Sequence, residues 1–267
     1  MSRITGAFRG ADGPLFIGYT VAGDPDPEES VRIAETVLDA GADILELGVP
    51  FSDPVADGPV IQRAGIRALA AGTTPPGVFG MVREIRKHSE KPIVLLTYYN
   101  PVYRRGLDRF SREAAAAGVD GILAVDLPLE EADRARECAR KHDLDQILLA
   151  APTTGDQRLS RIVNAASGFL YLVSRTGVTG TREDLPPDLR RLIGRVKARG
   201  SVPVAVGFGI SQPDHVRACT AAGADAVIVG SGIVGLVERH LADPAAMHEV
   251  IHAYIRRMKG ALGDKKE

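Results

Sequence analysis

Two carboxylates in one short stretch of the sequence could act as an acid and a base. Glu46 lies within the apolar run Ile44–Leu47, which has the composition of a buried strand. Burying a charged carboxylate costs several kcal/mol unless it is paired or hydrated, so we expect a raised pKa and a bound proton near neutral pH. Asp57 follows on a loop that prolines at positions 50, 54 and 59 make stiff. The stretch therefore predicts an acid–base site at the end of a strand.

Each carboxylate also has a simpler interpretation. Glu46 could be a structural carboxylate paired with an arginine. The triplet Asp57-Gly58-Pro59 is an ordinary turn sequence, and the residues favour neither the turn nor the functional role for Asp57. Asp126 closes another apolar run and could either join the site or support a loop.

Glycine-rich segments after two consecutive predicted strands indicate a phosphate site. They are Gly207–Ser211 and Gly230–Val234, and the second opens a helix. Glycine lets backbone N–H groups approach an anion closely, and a helix N-terminus adds partial positive charge. Either segment alone could be a tight turn, but together they favour phosphate binding. The polar, glycine-containing segment Ser174–Asp184 is typical of a mobile lid, or of a surface loop without a role.

Alternating strands and helices must position these residues. The phrase Ala-Gly-X-Asp occurs at 40–43, 117–120 and 222–225, each time between a helical pattern and an apolar run. It predicts a helix end, a glycine cap and a buried parallel strand. Eight such alternations favour a closed (β/α)8 TIM barrel over an open sheet, and we predict one domain over residues 1–267. The predicted strands are Pro14–Val21, Ile44–Leu47, Pro92–Tyr98, Ile122–Val125, Gln146–Ala150, Gly168–Val173, Val202–Val206 and Val227–Val229.

Composition argues against several classes of protein. A net charge of −1 and an isoelectric point near 6.6 provide no basic excess for binding nucleic acid or an anionic membrane. The sequence shows no apolar run long enough for a transmembrane helix and no signal-peptide core at its start. Cys138 and Cys219 have neither disulfide nor zinc-site spacing. We therefore expect a cytoplasmic protein that holds no metal.

Four motifs resemble those of a known family. The stretch 45–59, Leu-Glu-Leu-Gly-Val-Pro-Phe-Ser-Asp-Pro-Val-Ala-Asp-Gly-Pro, closely resembles the signature of the tryptophan synthase alpha subunit. The stretch Tyr171–Gly180 resembles the lid motif after the sixth strand of that family. The segments Gly207–Ile210 and Val229–Ser231 resemble its phosphate-binding loops. The resemblance extends over essentially the whole chain.

The resemblance implies a reaction and a set of residues. The reaction is the cleavage of indole-3-glycerol phosphate to indole and glyceraldehyde 3-phosphate, a retro-aldol step without a cofactor. Glu46 would protonate the indole carbon that bears the side chain, and Asp57 would accept a hydrogen bond from the indole N–H. The residues implied for the indole pocket are Tyr19, Leu96, Tyr98, Leu123, Val125, Leu149, Tyr171 and Thr179. Those implied for the phosphate are Gly180, Phe208, Gly209, Gly230 and Ser231.

The resemblance also implies a partner. In the family, a beta subunit that carries pyridoxal phosphate receives indole through a tunnel. We therefore expect an alpha2beta2 heterotetramer, with pyridoxal phosphate only in the beta subunit. The loop Pro50–Pro59 and the segment Arg175–Pro187 would face that subunit.

Three other functions remain compatible with the residues. One is a stand-alone indole-releasing lyase on the same barrel, which would share Glu46 and Asp57. Another is a different phosphate-binding barrel, such as an isomerase or a prenyl-transfer enzyme, although two carboxylates at a proline-stiffened loop argue against it. The third is a non-catalytic barrel that binds a phosphometabolite and regulates a partner.

Overall fold

The computed structural model describes residues 2–173, 188–207 and 209–263. Its strands are β1 (Leu15–Val21), β2 (Ile44–Gly48), β3 (Ile93–Thr97), β4 (Gly121–Ala124), β5 (Asp145–Gln146), β6 (Leu148–Ala150), β7 (Leu170–Val173), β8 (Val204–Gly207) and β9 (Ala226–Val229). All neighbouring strands pair in parallel, in the order β5-β4-β3-β2-β1-β9-β8-β7-β6.

The sheet closes through the predicted fifth strand. This strand is divided into β5, which pairs with β4, and β6, which pairs with β7. Ile147 lies between the two pieces, and its N–H still donates to the carbonyl of Ile122 at 3.1 Å. The two ends of the strand order are thus consecutive in the chain, and the predicted TIM barrel is confirmed.

Helices surround the barrel. They are α1 (Arg3–Gly10), α2 (Pro27–Asp39), α3 (Pro59–Ala70), α4 (Pro75–His88), α5 (Tyr99–Arg105), α6 (Leu107–Ala117), α7 (Asp133–Lys141), α8 (Asp156–Ala165), α9 (Leu189–Lys197), α10 (Pro213–Ala221), α11 (Ser231–Arg239) and α12 (Pro244–Lys259). Leu45 and Leu47 of β2 pack with Val37 and Ile85 in the layer between strands and helices. No helix in the described ranges has both the length and the apolar character needed to cross a membrane.

Helix α1 covers the N-terminal end of the barrel. Its Ile4 is fully buried in the barrel interior beside Ile17 and Val94, and the Phe8 ring lies 6.1 Å from that of Phe169. The barrel interior is therefore closed at this end by apolar packing, and chemistry is left to the other end.

The repeated Ala-Gly-X-Asp phrase has a second role that the sequence pattern did not reveal. Its glycines adopt positive φ, between 98° and 116°, as a helix-ending glycine cap requires. Its aspartates brace the barrel, because each accepts a 2.8 Å hydrogen bond from the backbone N–H at or near the start of the preceding strand. These pairs are Asp43 with Phe16, Asp120 with Ile93, and Asp225 with Val204.

Candidate active site

Glu46 points into the barrel. Alternation along β2 places Leu45 and Leu47 against the helices and Ile44 in the barrel interior, so Glu46 shares the inward face with Ile44. It pairs in register with Tyr19 of β1, and its side chain is fully buried. The parallel register therefore brings a carboxyl group and a phenol together at the C-terminal half of the barrel.

Asp57 lies on a loop that is held at several points. The Asp57 N–H donates to the Pro54 carbonyl at 3.0 Å, and the Gln62 amide donates to the Asp57 carbonyl at 2.8 Å. The Tyr98 hydroxyl donates to Asp57 Oδ2 at 3.0 Å and accepts from the Ala56 N–H at 3.0 Å. The turn suggested by the sequence is present, and the same turn aims the carboxylate at the barrel mouth.

The two carboxyl groups have different acidities for identifiable reasons. The pKa of Glu46 is raised to about 8, mainly because the side chain is buried and in smaller part because of the negative charge of Asp57. Burial also raises the pKa of Asp57 to about 6, although the hydrogen bond from Tyr98 opposes the change. Near neutral pH, Glu46 therefore holds a proton while Asp57 is ionised. Such a pair can supply an acid and an anionic stabiliser side by side.

Glu46 has no structural partner in the described part of the chain. Both of its carboxyl oxygens are buried and accept no hydrogen bond from the described residues. The alternative of an arginine-paired structural carboxylate therefore finds no support in these ranges. A buried polar group without a partner is costly, so a role in binding or catalysis is the better explanation.

A cavity joins Glu46 to the predicted phosphate segments. Its volume is about 50 Å³, below the roughly 300 Å³ of a typical small-molecule site. Sequence reasoning named neither Ile61 of α3 nor Ile228 of β9 as a site residue, and it gave Ile210 no individual role. The wall consists of Tyr19, Glu46, Asp57, Ile61, Leu96, Tyr171, Gly209, Ile210, Ile228, Gly230 and Ser231.

Other predicted pocket residues lie next to this cavity rather than on its wall. Leu123, Val125 and Leu149 belong to the apolar cluster inside the barrel. Tyr98 supports the wall through its bond to Asp57, and its ring lies 5.1 Å from that of Phe51. The predicted residues Thr179, Gly180 and Phe208, and the Arg175–Pro187 segment, lie outside the described residues.

Two glycines make room for the tyrosines at the strand ends. A Cβ atom on Gly48 would lie 2.3 Å from the Tyr19 hydroxyl, and one on Gly207 would lie 2.4 Å from the Tyr171 hydroxyl. Both distances are below any tolerable contact, so a side chain at either glycine would displace a ring from the cavity. The glycines are thus required by close approach, which a turn-based interpretation does not predict.

The far side of the cavity carries backbone amides. Gly230 is the residue before α11 and Ser231 is its first residue, so the N–H groups of the first turn have no partner within the helix. Gly209 adopts φ +81°, which turns the neighbouring loop toward the same space. These features provide partial positive charge for an anion without any charged side chain.

If cavity volume were the only criterion, the candidate site would be placed at the other end of the barrel. A groove of about 900 Å³ lies at the N-terminal end of the barrel, between α1 and α7. Some of its polar groups pair with each other, as in the Ser2–Asp145 and Arg136–Asp133 pairs. Asp126, the third candidate carboxylate, lies elsewhere. It accepts a hydrogen bond from the Tyr99 N–H at the start of α5, as expected of a residue that supports a loop. Within the described ranges no cluster of side chains could hold a metal ion.

Comparison with known proteins yields consistent matches. The family model described as tryptophan synthase alpha chain matches residues 7–262. The tryptophan synthase alpha chain of Methanoregula boonei is 54% identical over 261 residues, which cover 98% of each chain. A chain of the tryptophan synthase a2b2 complex from Pyrococcus furiosus is 42% identical, with a TM-score of 0.86 over 93% of this chain and 99% of that one. A chain of Mycobacterium tuberculosis tryptophan synthase is 35% identical, with a TM-score of 0.89 and 98% coverage of both.

Proposed function

The chain belongs to the tryptophan synthase alpha chain family, and we propose that its site cleaves indole-3-glycerol phosphate to indole and glyceraldehyde 3-phosphate. The observation that carries this proposal is the fully buried, unpartnered Glu46 in a mostly apolar cavity. An ionised Asp57 lies on the same wall, and backbone amides lie at its other end. An apolar slot suits indole, and the amides suit the phosphate.

The reaction needs one proton to be delivered and one to be removed. Protonated Glu46 donates to the indole carbon that bears the side chain, and the ring nitrogen then carries positive charge. Asp57 stabilises that charge by accepting the N–H hydrogen bond. The glycerol hydroxyl next to the ring then loses its proton to the Glu46 carboxylate as the carbon–carbon bond breaks. Its electrons return to indole, the aldehyde forms, and Glu46 is protonated again.

Indole release by the purified chain tests the proposal. We expect the wild type to release indole from indole-3-glycerol phosphate, and Glu46→Gln to lose roughly 10²- to 10⁴-fold in rate while still binding substrate. Asp53→Asn is the matched control, because it removes an exposed carboxylate from the same loop. An active Glu46→Gln variant would assign the proton transfer elsewhere. No release by the wild type under any condition, with phosphate ligands still bound, would favour the non-catalytic barrel.

We propose an alpha2beta2 complex as the working form. The Pyrococcus furiosus relative is part of such a complex. Val55 and Tyr103, which follow strands at the site end of the barrel, are 77% and 64% exposed and could pack against a beta subunit. Pyridoxal phosphate would belong to that subunit. A rate of indole release that rises when the beta subunit is added separates this form from a stand-alone lyase.

A cytoplasmic location is part of the same proposal. Its support is that Cys138 and Cys219 are both free. Unpaired cysteines are usual in a reducing compartment.

A further inference from the structure

The side chain of Tyr254 lies behind both glycine segments at the phosphate end of the cavity. Its hydroxyl donates to the Ser211 carbonyl at 2.9 Å, at the end of the segment that follows β8. The same hydroxyl would lie 2.2 Å from a Cβ atom on Gly232, in the first turn of α11. One phenol on α12 therefore contacts both backbone segments whose amides face the cavity.

We propose that Tyr254 is a positioning residue that sets the spacing between the Gly209–Ser211 loop and the first turn of α11. This inference rests on the proposed function, since it takes these two segments to bind the substrate phosphate. Tyr254 itself does not line the cavity, so it acts through the backbone. Amide donors hold an oxyanion well only when they converge to about 2.7–3.1 Å, and their relative placement therefore decides the affinity.

The surroundings of Tyr254 favour a fixed position. Burial raises its pKa to about 12, so the phenol remains a hydrogen-bond donor over the working pH range. The Arg257 guanidinium lies 5.6 Å from the ring centroid, within range for a cation–π contact. The Ser211 N–H donates to His215 Nδ1 at 3.3 Å, so Ser211 is held on its N–H side by α10 and on its carbonyl side by α12.

The absence of a side chain at position 232 belongs to the same arrangement. Besides the 2.2 Å contact, a Cβ atom on Gly232 would lie 2.9 Å from Tyr254 Cζ, so the ring or the helix would have to move. Gly235 on the same helix differs, because its nearest contact would be 3.3 Å from the flexible end of Arg239. Gly232→Ala and Gly235→Ala are thus a matched pair that differ mainly in the clash with Tyr254.

Binding of glycerol 3-phosphate, measured by calorimetry on the full chain, tests the inference without requiring turnover. We expect Tyr254→Phe to weaken binding about 3- to 10-fold, the effect of one lost hydrogen bond. The KM for indole-3-glycerol phosphate should rise by a similar factor with kcat nearly unchanged. Gly232→Ala should weaken binding more than Gly235→Ala. The effect of Gly232→Ala should shrink in the Tyr254→Phe background, because the shortest contact is then gone.

A control separates positioning from general loosening of α12. Thr36→Val removes a 2.7 Å hydrogen bond between α2 and His248 of α12, away from the phosphate segments. It should lower thermal stability without changing the affinity for glycerol 3-phosphate. Equal binding by Tyr254→Phe and wild type, equal effects of the two glycine substitutions, or the same loss in Thr36→Val would each overturn the inference. So would a wild type that does not bind glycerol 3-phosphate, whereas absent indole release with the expected binding pattern would refute only the proposed function.

Discussion

Replacing Glu46 by glutamine should stabilise the protein, and the gain should grow with pH. The unfolded chain loses the Glu46 proton near pH 4.5, whereas the folded protein keeps it to about pH 8. Between these values the folded state binds more protons, so the stability of the wild type falls as pH rises. Glutamine has a similar shape and no proton to lose, so the free energy of unfolding of Glu46→Gln should not fall with pH for this reason.

The magnitude follows from the size of the pKa change. Each pKa unit corresponds to about 1.36 kcal/mol, so the change from 4.5 to about 8 corresponds to a gain of about 5 kcal/mol at pH 9. At pH 4 both forms are neutral and the difference should be small. The Glu46 carboxyl finds no hydrogen-bond partner among the described residues, and a glutamine amide of similar shape would lie in the same surroundings, so their desolvation costs should nearly cancel. The charge of Asp57 contributes to the Glu46 pKa, so Asp57→Asn should reduce the gain.

Urea unfolding of the isolated chain at several pH values from 4 to 9 measures this difference. Glu249→Gln is the control, because it removes an exposed carboxylate from α12 and should change the unfolding free energy by less than about 0.5 kcal/mol. A gap between wild type and Glu46→Gln that is the same at pH 5 and pH 9 would refute the reasoning. It would show that the carboxyl group is hydrated or paired in solution.

Three further outcomes are expected from the same geometry. The pH profile of kcat/KM should be bell-shaped, with limbs near pH 6 and pH 8, because Asp57 must be ionised and Glu46 protonated. Tyr98→Phe should move the acid limb to higher pH, because the hydrogen bond from Tyr98 lowers the Asp57 pKa and its removal raises that pKa. A larger loss of activity at pH 6 than at pH 8 checks this. Gly48→Ala should destabilise the fold by about 1–3 kcal/mol in urea unfolding and reduce activity, because its Cβ meets the Tyr19 hydroxyl. Tyr19→Phe should restore part of both.

Each of these three predictions has a result that would contradict it. A kcat/KM that does not change between pH 5 and 9 would remove the acid–base assignment. An unchanged acid limb in Tyr98→Phe would mean that the phenol does not hold Asp57 in solution. A stable, active Gly48→Ala variant would show that the ring of Tyr19 can leave its place at no cost.

Local pattern was sufficient for the architecture and for selecting Glu46 and Asp57 as the candidate acid–base pair. Apolar runs and the Ala-Gly-X-Asp phrase predicted the eight strands and the barrel, because the strands are largely buried on both faces and the three helices before the phrase end at a glycine with positive φ. Glu46 was recognisable because a carboxylate inside an apolar strand is unusual whatever the tertiary structure around it. The family resemblance was likewise carried by contiguous motifs, and it is confirmed over residues 7–262.

Contacts between distant parts of the chain could not be predicted in this way. Ile228 joins the cavity wall, and Leu149 does not, because the register between strands decides which inward side chains share a layer. The contact of Tyr254 with Gly232 joins two helices, and no local pattern indicates it.

The sequence by itself thus determined the barrel, the presence of Glu46 in an apolar strand and the stiff loop that carries Asp57. Only the tertiary structure decided how far the two pKa values rise and which groups surround the two carboxyl groups. The pKa of Glu46 depends on complete burial and on the nearby charge of Asp57, and both arise only when the barrel closes. Burial and Coulomb interactions depend on distance through space, which the order of residues along the chain does not specify.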